Sequence, residues 1–139
     1  AVSTGLPFII VPLATLNAVQ RSRVNVEALV KLISDPRESR EILVFAPEAH
    51  SPDCQLSIRV YVPLFGIQED PATGSGNSCL AGYLSEHQYL GSRTIDIQVE
   101  QGMEIERPSR LHLKAAKTEV GHDIQVGGKV QLIAKGTLL

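Results

Sequence analysis

A chain of 139 residues is the size of one ordinary domain, and folding at that length buries about two-thirds of the surface an unfolded chain exposes, enough for a core without staples. Hydrophobic residues at 43% and charged residues at 20% exclude a disordered, collagenous or coiled-coil chain, while a formal charge of −2, 4% aromatic residues and no tryptophan exclude the basic footprint and stacking platforms of a nucleic-acid binder. Cys54 and Cys79 are too few for a disulfide framework, and no apolar run approaches the roughly 20 residues of a membrane span, so the expected setting is a reducing cytoplasm with neither membrane nor nucleic acid as partner.

The opening residues, AVSTGLPFIIVPL, carry neither an initiator Met nor the basic start and cleavage site of a signal peptide, and read as the interior of a longer protein. Within them Leu6 to Leu13 is a short apolar run bounded by Gly5 and prolines, the pattern of a buried strand. NVEALVKLISDP then sets Val26, Leu29, Val30 and Ile33 at helical spacing, with Asn25 as N-cap and Pro36 beyond the end. EILVFAPEA is a second strand. CQLSIRVYVPLF alternates, with Leu56, Ile58, Val60 and Val62 on one face and Ser57, Arg59 and Tyr61 on the other, which predicts a sheet with one face buried.

Next comes GIQEDPATGSGNSCLAGYL, where small residues crowd ahead of a long helix. From Gly76 the positions 76, 79, 80, 83, 84 and 87 form one face, and Ser78, Ala81, Gly82 and Ser85 leave so little bulk elsewhere that a sheet can approach on several sides. Gly82 inside the helix costs roughly 1 kcal/mol against Ala, so close packing and not local preference decides it. TIDIQVEQG, SRLHLKAAK and KVQLIAKGTLL follow as strands, with Gly127-Gly128 read as a hairpin turn and His122-Asp123 as a solvated turn. The whole is one α+β domain over residues 1–139, in which a mostly antiparallel sheet covers an apolar helix.

The chemistry of the glycine-rich stretch is bounded by elimination. Ser75 between Gly74 and Gly76 lacks the outer glycines of a nucleophile elbow, and no dinucleotide or phosphate-loop fingerprint is complete. His50, His87, His112 and His122 sit on unrelated elements, so no metal is expected. What remains is a set of unpaired N–H groups from Thr73 to Asn77, made accessible by Gly74 and Gly76, with hydroxyls on Thr73 and Ser75, suited to a carboxylate or phosphate. Asp70 before Pro71 reads by itself as a helix cap, and Glu69 as a solvated loop residue.

The stretches FGIQEDPATGSGNSCLAGYL, QGMEIERPSRLHL and VGGKVQLIAKGTL resemble the phenazine-biosynthesis PhzF-like isomerases, relatives of diaminopimelate epimerase, over nearly the whole chain. The resemblance implies two similar lobes, each a strongly curved sheet wrapped round a central helix, with this chain as the C-terminal lobe. It implies an isomerase or epimerase that moves a proton on a small carboxylate-bearing metabolite, without a metal or organic cofactor, in a homodimer of two-lobed subunits. It makes Asp70 a catalytic residue and Thr73, Gly74, Ser75, Gly76 and Asn77 substrate-binding, with the principal glutamate and its histidine partner supplied by an N-terminal lobe. Glu48 and His50 are not recruited. Ala72 stands near the place where the epimerases carry a cysteine, and Cys79, two turns inside the helix, is read as core. Gly76-Asn77 replaces the usual Ala after the motif serine, and Asn77 either faces the ligand or caps the turn.

Overall fold

The computed structural model describes residues 1–33 and 41–137. In chain order the elements are β1 (Val2–Ser3), β2 (Pro7–Pro12), α1 (Leu16–Arg21), α2 (Val26–Leu32), β3 (Glu41–Ala46), β4 (Leu56–Val62), a 3-10 turn at Pro63–Phe65, β5 (Ile67–Asp70), α3 (Gly74–Glu86), β6 (Thr94–Gln101), a second 3-10 turn at Met103–Ile105, β7 (Ser109–Thr118) and β8 (Gly121–Gly128). One strongly curled sheet runs β1-β2-β3-β4-β6-β7-β8, and β5 pairs with β4 off that path. Its pairings are antiparallel except β2 with β3 and β4 with β6. The fold is the expected α+β arrangement of a curved, mostly antiparallel sheet around a central helix.

Both parallel pairings need a crossover, because the chain must return to the same end of the sheet before the next strand starts. α3 lies in the second crossover, between β4 and β6, and packs against β1, β2, β6, β7 and β8. The curled sheet therefore closes around it. Phe8, Leu43, Phe45, Leu56, Ile58, Val60, Val99 and Leu113 meet Leu80 and Leu84 in the main core. On α3 burial extends beyond the predicted face to Ala81, Gly82 and Ser85. A Cβ at Gly82 would sit 3.2 Å from Ile124 Cδ1, and one at Gly76 would sit 3.1 Å from the Phe8 ring, so the missing side chains are what let two strands reach the helix. Cys79 is fully buried in this core.

Five sequence expectations change. The outer face of β4 is not solvated: Ser57, Arg59 and Tyr61 are as buried as Leu56, Ile58 and Val60. α1, whose six residues LNAVQR are too short to display a helical period, covers that face, with Val19, Val44, Ala46 and Tyr61 forming a second core. Thr15 starts α1 by accepting a hydrogen bond from Ala18 N at 3.2 Å. α2 begins at the expected cap, Asn25 Oδ1 accepting from Ala28 N at 2.9 Å, but of its spaced residues only Leu29 is buried while Val26 and Val30 are exposed. Pro36 lies outside the described residues.

The other three concern the C-terminal strands. Gly127 and Gly128 do not turn; they end β8, opposite His112 and Leu111. A Cβ at Gly128 would come within 3.3 Å of the Arg110 carbonyl, so glycine here serves close strand approach. The turn falls instead between Thr118 and Gly121, around a fully exposed Val120. His122 and Asp123 are accordingly strand residues, and the His122 side chain is only 20% exposed beside Glu86. Lys129 to Gly136, expected to be a strand, forms none: β8 is already complete, and Val130, Leu132 and Ile133 are exposed.

Candidate active site

The motif GIQEDPATGSGN straddles a strand, a turn and a helix start. β5 lies alongside β4, with Asp70 opposite Val60. Pro71 has no N–H with which to continue the ladder, so β5 ends there. Thr73, with φ −103° and ψ 98°, is the N-cap of α3, and its side chain does not cap the helix. Asp70 is thus not the cap. Its carboxylate Oδ2 accepts a short hydrogen bond from the Thr73 hydroxyl. The first intrahelical bond runs from Asn77 N to the Thr73 carbonyl at 3.0 Å, which leaves the N–H groups of Gly74, Ser75 and Gly76 ahead of it without an i−4 acceptor.

Gly74 is exposed, Ser75 and Asp70 are half-buried, and Gly76 and Asn77 are buried. The structure therefore sets Asp70, Gly74 and Ser75 at the helix start within reach of solvent, while Thr73 between them is buried and hydrogen-bonded to Asp70. Gly76 turns toward Phe8, and Asn77 points into the interior, donating from Nδ2 to the Thr73 carbonyl at 2.9 Å and to Gln101 Oε1 at 2.8 Å. An open cavity of about 1090 Å³ extends from Ala72 and Gly74 past Met103 and Glu100 to Arg110 and Lys129, so cationic side chains stand on its far side.

Gln101 is the residue that sequence reasoning missed. It is the last residue of β6, fully buried, and its amide makes four bonds. Oε1 accepts from Thr73 N at 3.3 Å and from Asn77 Nδ2 at 2.8 Å; Nε2 donates to the Asp70 carbonyl at 2.7 Å and to Thr73 Oγ1 at 2.9 Å. Gly102 follows in the left-handed region at φ 78°, where a Cβ would collide with the Arg107 and Pro71 carbonyls. A buried amide with every partner supplied fixes geometry more than a single bond can.

Glu69 is a second departure from expectation. Its side chain is 6% exposed, not solvated, and grips Arg59, with Nε to Oε1 at 3.0 Å and Nη2 to Oε2 at 2.6 Å. Arg59 Nη1 reaches the carbonyls of Val19, Gln20 and Ser22 at 3.2, 3.0 and 3.2 Å, satisfying the end of α1. Glu104 Oε2 stands 3.9 Å from Arg59 Nε, and neither Glu104 oxygen has a hydrogen-bond partner among the described residues. Arg59 thus holds the residue next to Asp70 from beneath.

Glu100, on the cavity wall, is buried and held by His50: Oε1 accepts from His50 N at 2.5 Å and lies 2.6 Å from Nδ1, and Oε2 accepts from Ser51 N at 3.1 Å. Burial first, then the nearby Glu100 charge, pushes the Cys54 thiol above its ordinary range. No group of three or more His, Cys, Asp or Glu among the described residues is placed to hold a metal ion.

A curled sheet around a helix whose mouth presents a carboxylate and open amides defines a recognisable class. The family described as phenazine biosynthesis-like protein matches residues 1–136, and the chain belongs to it. An uncharacterized isomerase of Mesorhizobium japonicum is 31% identical over 143 residues, covering 98% of this chain and 46% of that protein. The trans-2,3-dihydro-3-hydroxyanthranilate isomerase of Pseudomonas aeruginosa is 35% identical over 79 residues, covering 56% of this chain and 28% of that one. Among solved structures, the phenazine biosynthesis protein of the PhzF family from Bacillus anthracis superposes with a TM-score of 0.78 at 23% identity, covering 91% of this chain and 43% of that chain. The chain spans less than half the length of these relatives. No helix among its described residues is long and apolar enough to cross a membrane.

Proposed function

We propose that this chain is the C-terminal lobe of a cofactor-independent isomerase or epimerase that moves a proton between carbon atoms of a small carboxylate-bearing metabolite. The observation that carries this reading is the start of α3: Asp70 accepts from the Thr73 hydroxyl next to the N–H groups of Gly74, Ser75 and Gly76, which have no i−4 acceptor, and Gly74 lines an open cavity. Removing a proton from carbon beside a carboxylate builds negative charge. Donors fixed before the reaction stabilise that charge without reorganising, and the helix dipole adds ~0.3–1 kcal/mol, up to ~2 where partly buried. Gly74 and Ser75 present the substrate-binding amides, Thr73, Gly76 and Asn77 support them from within, and Asp70 orients the substrate and assists proton movement. The principal proton carrier, a glutamate, comes from an N-terminal lobe across the cleft, in a homodimer of two-lobed subunits. That relatives of this chain carry isomerase names supports the reaction class.

The test is Asp70→Asn in the two-lobed enzyme, assayed by NMR for deuterium uptake from D2O into small carboxylates, beginning with the compound that names the Pseudomonas relative. General acid–base catalysis contributes about 10²–10⁴-fold, so turnover should fall by that factor. Turnover equal to wild type sinks the assignment. A second reading, a lobe that binds small carboxylates or a partner without chemistry, is favoured by Asp70 being the carboxylate hydrogen-bonded at the helix start among the described residues. Calorimetric binding with no deuterium uptake after the N-terminal lobe is supplied selects it.

A further inference from the structure

We infer that Gln101 is the positioning residue of the site: acting through the Thr73 hydroxyl, it commits Asp70 Oδ2 to accepting a hydrogen bond and leaves Oδ1 as the oxygen that works on the substrate. The inference rests on the reading of Asp70 given above and deepens it.

Which groups can donate decides the direction of each bond. A backbone N–H can only donate, so the Thr73 N–H at 3.3 Å fixes the nearer atom of the Gln101 amide as the oxygen. The other atom is then the NH2 group, and its two hydrogens go to the Asp70 carbonyl and to Thr73 Oγ1. Thr73 Oγ1, already accepting from Gln101, has one hydrogen of its own, and the acceptor in reach is Asp70 Oδ2. The same oxygen on Gln101 orients Asn77, whose NH2 must face it, which explains why Asn77 Oδ1 is buried without a partner. The order of donation is thus one-way from Gln101 to Thr73 to Asp70.

A carboxylate gripped at one oxygen keeps the other in a fixed direction. Asp70 Oδ1 makes no hydrogen bond among the described residues, while its neighbour on the chain, Glu69, is immobilised by Arg59. Gln101 is too deeply buried to touch a ligand, so its contribution runs through Thr73 and the backbone of Asp70.

The experiment is proton NMR of the full chain in water. In the wild type the Thr73 hydroxyl proton gives a slowly exchanging downfield resonance with a through-space contact to the Gln101 side-chain NH2. Gln101→Glu removes both N–H donors and offers Thr73 a competing acceptor; it should abolish that resonance and shift the Asp70 carboxyl carbon signal. Gln101→Met should abolish it without adding a buried charge. Thr73→Ser, which keeps a hydroxyl, should retain it. A resonance that persists in Gln101→Met with the Asp70 carbon unmoved overturns the inference, as does its absence from the wild type, a result that needs no variant to fold. Because the readout is the direction of one proton and not turnover, it decides the role of Gln101 whether or not Asp70→Asn abolishes activity.

Discussion

The two faces of β4 are equally buried and chemically opposite. Toward α3 it presents Leu56, Ile58 and Val60, each fully covered by other apolar groups. Toward α1 it presents Ser57, Arg59 and Tyr61, with Arg59 bonded to Glu69 and to three carbonyls, and stacked 5.1 Å from the centre of the Tyr61 ring. The apolar face is tolerant of shape so long as volume is kept, whereas the polar face works only in one geometry. The first holds the helix in the sheet; the second holds β5, and with it Asp70, at a set height above the helix mouth.

Arg59→Ala should break that division most severely. Removing one partner of a buried ion pair leaves the other charge uncompensated and costs about 3–5 kcal/mol; here two carboxylates, Glu69 and Glu104, and the end of α1 lose their partner together. Urea unfolding measures the loss, and amide shifts along Ile67–Asp70 should move even where the fold survives. Ile58→Ala, one residue away on the opposite face, should cost about 2–5 kcal/mol yet leave the β5 shifts in place. Equal disturbance of β5 by both variants would erase the distinction between the faces.

Gly76→Ala tests where packing and site meet. Its Cβ would press on the Phe8 ring at 3.1 Å and on Thr73 Cγ2 at 3.3 Å, and overpacking of this kind costs about 1–3 kcal/mol. Thermal unfolding should show the loss, and ligand affinity at the helix mouth should fall with it.

The smallest effect is one of pH. Burial raises Tyr61 above the ordinary phenol value of 10.0. A folded Tyr61 keeps its proton where the unfolded chain gives it up, so its contribution is complete below pH 10.0 and is lost as pH rises through the folded pKa. The inner face, with Leu56, Ile58 and Val60, offers nothing to titrate. Alkaline urea titrations should therefore show a decline that is shallower in Tyr61→Phe, and an unchanged slope in that variant removes Tyr61 as its source.

Much of the site was legible because its signals are local. The glycines around Ser75 and the small residues of the following helix state an open helix start and a close-packed helix within a few positions of one another, whereas Asp-Pro, which reads as a helix cap, ends a strand. Gln101 was not legible. A glutamine at the end of an alternating strand is ordinary, and only the pairing of β4 with β6 carries it to Thr73, 28 positions away in sequence. Glu69 looked solvated for the same reason, since its partner lies on the next strand and faces the side that alternation alone assigns to solvent.

By itself the sequence determined the α+β class, the strands β2, β3, β4, β6 and β7, and the helix α3 with its small-residue start, because each rests on periodicity, turn chemistry or spacing within a few positions. Tertiary structure alone decided that α1 covers the outer face of β4, that Gly127 and Gly128 stay in a strand, and that a buried amide from β6 holds the motif in order. Those outcomes depend on which segments meet, and the pairing of distant segments is set by the competition of whole surfaces for burial, which no short stretch of residues records.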